Sequence, residues 1–349
     1  MRLGRESRSE LGSLSLSGPA AGLAFRAALA GVAAIVVAMA LHLDDAYWAG
    51  ITAFGMPQRD VTATLSRSFD RVLGTIAGAA LGYVASGTVA NHLVFSAICG
   101  LIVCFTVYAQ ARVDHGYAVL LVGVTALLVM FGSLLAPEAA LSIAVYRGLE
   151  IVVGAIVASL VDMVLAPDPG ERQRLPPKPG VFSAPLDVDL LVIAITGGLA
   201  IASVPGVWNS LELPGLDQTP ITAFVIMIAV KRDPHWTAAT RAAGCLAGGA
   251  YGLLCGSMAG DSFFLWIGLL FLGLYLSGHI LHRQGEASYL GLQAGVAVIL
   301  AMVEGMAPSP DILPPINRLV GIFGGILLVA LFQTLLSPLV RRCVVAVRS

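Results

Sequence analysis

The chain has 349 residues, 57% of them hydrophobic and 12% charged, with a mean hydropathy of +0.87. A soluble domain carries about a quarter charged residues, so this composition excludes one and describes a polytopic membrane protein. The formal net charge of -1 decides little, because in such a protein the placement of Lys and Arg carries the information.

Crossing the hydrocarbon takes about 20 apolar residues. After a polar, flexible N-terminal segment (1–19) the apolar runs fall near 21–43, 46–58, 71–90, 92–111, 116–135 and 143–165. A Pro-rich linker (166–185) follows, and then runs near 187–206, 214–230, 240–258, 262–281, 287–306 and 316–340, ahead of a basic tail (341–349). The first run is too long for a signal-peptide core, lacks a convincing cleavage site and reads as a retained span. The expectation is an all-α protein of about twelve transmembrane helices: a first six-span repeat (20–165), a cytoplasmic linker and a second six-span repeat (186–340).

The repeat is visible in the residues. Ile51-Thr52-Ala53-Phe54 returns as Ile221-Thr222-Ala223-Phe224, and Arg71-x2-Gly74-x3-Gly78-x3-Gly82 returns as Arg241-x2-Gly244-x3-Gly248-x3-Gly252, both offset by 170 residues. With the N-terminus inside, every basic residue except Arg147 and Arg318 falls on the cytoplasmic side or at a cytoplasmic span end. The positive-inside rule therefore places both termini in the cytoplasm, and an even number of spans per half makes the repeats parallel. Arg147 and Arg318 are repeat mates, offset by 171 residues, and each opens an Arg-x6-Gly stretch on the outer side.

On a helix, Arg71, Gly74, Gly78 and Gly82 share an arc of about 80°. Small residues at every fourth position let spans approach closely, so Gly74, Gly78, Gly82, Gly244, Gly248 and Gly252 are read as helix-packing positions. The expectation is that the two stripe helices press on each other across a pseudo-twofold axis. Arg71, Arg241, Arg147 and Arg318 are read as standing at helix N-termini, where backbone N–H groups, the helix dipole and a guanidinium together make an anion site. Glu150 can offset Arg147, whereas its mate is Gly321. The second and eighth runs are short and carry Pro57 and Pro220, a usual pointer to a transport site, which brings Trp48, Thr52 and Thr222 into the candidate path. Asp162 and Glu304 are read at headgroup level, and His279 and His282 at a cytoplasmic turn.

No nucleophile–base pair, P-loop or H-E-x-x-H motif occurs, and the five cysteines lack metal-ligand spacing. The reading is therefore of a protein that is not an enzyme and has no cofactor, no metal and no nucleic-acid partner.

Tyr47-Trp48-Ala-Gly-Ile-Thr-Ala-Phe, followed by Arg71-x2-Gly74-x3-Gly78, resembles the signature of the fusaric-acid-resistance (FUSC) and aromatic acid exporter families, to whose membrane domain the plant aluminium-activated malate transporters are similar. The resemblance implies export or channel-like passage of organic anions, often aromatic carboxylates, across the inner membrane, with basic residues lining the path. Position by position it points to Arg71 and Arg241, then to Arg147 and Arg318. It also implies a periplasmic adaptor as a partner beside the lipid bilayer and the anion; self-association into a homo-oligomer is left open. The short linker departs from larger relatives with substantial cytoplasmic regions. Two alternatives stand beside an organic-anion exporter: another twelve-span carrier of the major-facilitator type, and a non-transporting membrane scaffold.

Overall fold

A computed structural model describes residues 18–58, 60–166, 186–216, 218–229, 234–260, 262–283, 285, 287–304, 307–308 and 313–348. The linker (167–185), most of the N-terminal segment and Arg59, Lys231 and Arg232 lie outside the described residues, as do the side chains of Glu304 and Arg318. Helices occupy all twelve places read from the sequence: α1 (Pro19–Ala40), α2 (Ala46–Gly55), α3 (Val61–Ser86), α4 (His92–Gln110), α5 (Gly116–Leu135) and α6 (Ala140–Leu165), then α7 (Val188–Leu211), α8 (Gln218–Ala229), α9 (Pro234–Ala259), α10 (Phe263–Leu281), α11 (Ser288–Met302) and α12 (Leu313–Leu335). A bent extension, α13 (Ser337–Arg348), follows. Among the described residues seven of these are long and apolar enough to cross a membrane, or eight if α12 and α13 form one span broken by 48°.

The departures from twelve full spans have physical causes. At 1.5 Å per residue, the 10 residues of α2 and the 12 of α8 reach only about 15–18 Å, roughly half of the hydrocarbon thickness. Helix α2 stops at Gly55, two residues before Pro57, which has no backbone N–H to continue the hydrogen-bond ladder. Helix α3 is long enough, but its first turns carry Ser66, Arg67, Ser68, Asp70 and Arg71; Asp60 caps it, its carboxylate accepting from the Ala63 N–H at 2.8 Å. Helix α11 ends at Met302 in a two-residue antiparallel bridge, Val303–Glu304 with Ala307–Pro308.

The packing interleaves the halves. Helix α1 packs on α10 and α7 packs on α4, so the first helix of each half lies against the fourth helix of the other. One buried core joins α1, α2 and α6 to α9, α10 and α11; a second joins α4 and α5 to α7, α8 and α12. Gly100 and Gly198 mark the α4/α7 crossing, where a Cβ on either would lie within 2.8 Å of the other's carbonyl oxygen. The glycine stripes face their own halves. Gly74, Gly78 and Gly82 rest on the backbone of Ala118, Val122 and Ala126 in α5, and Gly244 and Gly248 rest on Leu290 and Ala294 in α11. The expected stripe-on-stripe contact is therefore replaced: each stripe holds the helix that presents a tyrosine to the stripe's own arginine.

Candidate functional site

The repeated segments build the same local site twice. Arg71 lies one turn ahead of Gly74 on the stripe, which directs it into the groove between α2 and α5. There its Nε donates to Thr52 Oγ1 at 3.2 Å and its NH1 to Tyr117 Oη at 3.0 Å. In the second half Arg241 Nε donates to Thr222 Oγ1 at 3.2 Å and NH1 to Tyr289 Oη at 2.8 Å. Thr52 and Thr222 are fully buried, Arg241 is buried and Arg71 is half-buried. The two glycines that follow Arg147 and Arg318 complete the fit: Gly154 sits on the Ala49 carbonyl and Thr52, and Gly325 on the Thr219 carbonyl and Thr222. Arg67 covers the Tyr117 ring at 4.7 Å. Tyr117 and Tyr289 are absent from the sequence reading because they are 172 residues apart, two out of step with the 170-residue offset of the threonines and arginines.

The same short helices also lock the halves together. Phe54, two residues after Thr52, lies against Gly295 of α11, where a Cβ would come within 2.3 Å of its ring; Phe224 meets Gly123 of α5 at 2.9 Å from an added Cβ. The threonine of the repeat grips its own half and the phenylalanine reaches into the other.

Arg147 is held differently. Its NH1 donates to Glu150 Oε2 at 3.1 Å, its NH2 lies 3.6 Å from Asp45 Oδ2, and its guanidinium sits 4.0 Å from the centre of the Trp48 ring. Glu150, fully buried, uses its other oxygen to accept the Asp45 backbone N–H at 2.9 Å. Arg147 Nε and Trp48 Nε1 are buried donors without partners. Trp48 and Thr52 are one turn apart on α2, so Arg147 and Arg71 bear on neighbouring turns of one helix. At the second-half positions of Asp45 and Glu150 stand Gly215 and Gly321, which approach so closely that a Cβ on Gly215 would lie 3.0 Å from Gly321 N. The backbone of Arg318 lies in α12, and its side chain is outside the described residues.

Helix-terminal placement of the arginines is corrected by the helix bounds. Arg71 is the eleventh residue of α3, Arg241 the eighth of α9, Arg147 the eighth of α6 and Arg318 the sixth of α12. The dipole's influence fades within the first turn, so it does not act on them. Asp162 is not exposed to headgroups: it is fully buried, pairs with Arg26 at 2.7 Å and accepts from Thr64 Oγ1. Arg26 NH2 reaches the Gln58 carbonyl at 2.9 Å, tying α1 and α6 to the turn after α2. His279 is buried rather than solvated, and His282 is half-buried; each has a buried ring nitrogen without a hydrogen-bond partner. Burial, then the charges of Arg26 and Arg67, push the His282 imidazole down to about 4. Among the described residues no three His, Cys, Asp or Glu side chains gather at metal-binding range.

Residues 20–175, the stretch that includes the first Thr–Arg–Tyr site and the Arg147 cluster, match the model of the fusaric acid resistance protein family. Over these residues the chain is similar to that family. The match supports the resemblance carried by Tyr47-Trp48 through Gly78 over the first half, and the seven or eight long apolar helices among the described residues describe a multi-pass membrane protein. No characterised protein and no solved structure gave a match.

Proposed function

We propose that this protein carries organic anions, carboxylates foremost and aromatic ones among them, across the inner membrane, outward, with Arg71 and Arg241 as the paired anion-binding cations. In this reading twelve helices form two parallel six-helix repeats related by a pseudo-twofold axis, with both termini in the cytoplasm. The observation that carries it is a contrast among four arginines, three buried and Arg71 half-buried. Arg26 has Asp162 and Arg147 has Glu150, but Arg71 and Arg241 have only neutral hydroxyls as described partners. A guanidinium withdrawn from water without a counter-charge costs several kcal/mol, and this chain builds that arrangement twice. A bound carboxylate supplies the missing charge and satisfies the guanidinium fork in a bidentate fashion. The family match over residues 20–175 supports transport as the class of function, and anion recognition rests on the two arginines.

The test is flux of radiolabelled benzoate in proteoliposomes containing the purified full chain. R71Q and R241Q are expected to lower flux at least tenfold each while eluting as folded protein; flux equal to that of the unaltered protein removes the assigned role. A benzoate flux of zero in the unaltered protein, repeated with malate, would remove the carboxylate reading.

A further inference from the structure

The Arg147 cluster differs in kind from the twin sites and is present once. Both halves need a helix junction at this point, and the second half builds it without acids, by closing Gly215 against Gly321. Asp45 and Glu150 are therefore not required to make the junction. Where the second half has two glycines in van der Waals contact, the first has a buried carboxylate that clasps a buried guanidinium and the backbone entry to α2 at the same time.

We propose that Glu150 is the proton-binding residue through which proton and anion binding are coupled at Arg147. This deepens the transport reading and rests on it. With Glu150 ionised, its Oε2 occupies Arg147 NH1 and the clasp is closed. A proton added to the carboxylate removes the negative charge, breaks the ion pair and frees NH1, while the Trp48 ring keeps the guanidinium in place. An anionic carboxylate then takes the vacated donor. The net charge of the cluster is the same before and after, because one proton and one anion enter together; they leave together when Glu150 ionises and reclaims Arg147. The groups around Glu150 are Arg147 on its own helix and Asp44, Asp45 and Tyr47 at the start of α2. Helix α3 brings Arg71, held on Thr52; α5 brings Tyr117, held on Arg71; and α1 brings Arg26, already paired with Asp162 farther along α6. Asp45 is the weaker partner of Arg147, longer at 3.6 Å and 39% exposed.

Trp48 supplies the probe. Tryptophan fluorescence of the purified full chain is titrated against pH in detergent, with benzoate as the anion. The expected result is a transition that disappears in W48F, which assigns it to Trp48, and in E150Q, which assigns it to Glu150. Benzoate above its Kd moves the midpoint to higher pH, by about one unit per tenfold concentration, because linkage requires the proton to favour the anion as much as the anion favours the proton. R147Q removes the benzoate shift, and this arm serves if E150Q does not fold. A transition that persists in E150Q, or a midpoint unmoved by benzoate, overturns the coupling. Because the titration needs no transport, it fails separately from the flux assay: flux with an immobile midpoint sinks the coupling alone, and a mobile midpoint without flux sinks the transport reading.

Discussion

Gly248→Ala should be among the most damaging single-methyl changes in this protein. A Cβ there would lie 2.1 Å from the Ala294 carbonyl oxygen and 2.9 Å from Ala294 Cα, both backbone atoms that no side-chain rotation can move aside. Restoring ordinary contact requires α9 and α11 to part by about 1 Å, and a gap of that size forfeits a quarter to a half of each dispersion well it touches. Gly244, where an added Cβ would lie 2.6 Å from Leu290 O, and Gly252, where it would lie 2.6 Å from the Ala301 Cβ, share the seam and open with it. With tens of atom pairs at about 0.1–0.2 kcal/mol each, the loss comes to about 1–3 kcal/mol, the usual cost of overpacking. Between spans this loss is not offset by hydrophobic association, since lipid is as apolar as the side chains. Gly268→Ala is the control: nothing lies within 4 Å of its added Cβ, so it keeps only the gain in helix propensity, up to about 1 kcal/mol. Unfolding of the purified protein in mixed micelles by SDS, followed by far-UV circular dichroism, reads both. The reasoning is refuted if the two variants unfold within about 0.5 kcal/mol of each other, which is the size of ordinary surface changes.

Two further outcomes concern Asp162 and His282. Asp162→Ala leaves Arg26 buried without its counter-ion and should cost about 3–5 kcal/mol in the same assay, while R26A/D162A should recover part of that loss, since the damage lies in the uncompensated charge. His282 binds a proton more weakly folded, at about 4, than its ordinary value of 6.5. The unfolded chain therefore holds more protons between those values, so stability is full above pH 6.5 and falls as pH drops toward 4, by up to about 3 kcal/mol. H282N should flatten that part of the thermal-stability profile, and an unchanged slope would show that another group is responsible.

Most of the helix plan was legible because apolar runs and repeat spacing survive in the linear order. Which faces meet was not. Arg-x2-Gly-x3-Gly-x3-Gly announces a close-packed stripe, but a stripe does not name its partner, and α5 and α11 carry no matching motif beyond the small residues that meet it. The tyrosines that complete the sites were hidden by a two-residue slip between the repeats, and the Arg26–Asp162 pair by its separation of 136 residues. Helix starts were misplaced for a different reason. Reading spans by hydropathy drops the polar first turns of α3, so Arg71 looked terminal when ten helical residues precede it.

The geometry also explains why the tetrapeptide recurs as a block. On α2, Thr52 is bound by Arg71 of its own half and Phe54 is bedded on Gly295 of the other; on α8, Thr222 and Phe224 repeat this with Arg241 and Gly123. The residues between are buried alanines, Ala53 and Ala223, which leave no flexible side chain to absorb a displacement. Close-packed interiors switch between discrete arrangements and transmit strain. On the proposed function, an anion that draws Arg71 away from Thr52 would act on a short, stiff helix that also contacts a glycine in the opposite half. On that same proposal, a transporter that exposes its site to one side at a time needs its halves to change together, and a 10-residue helix keyed to both, too short to cross the hydrocarbon alone, would supply that link.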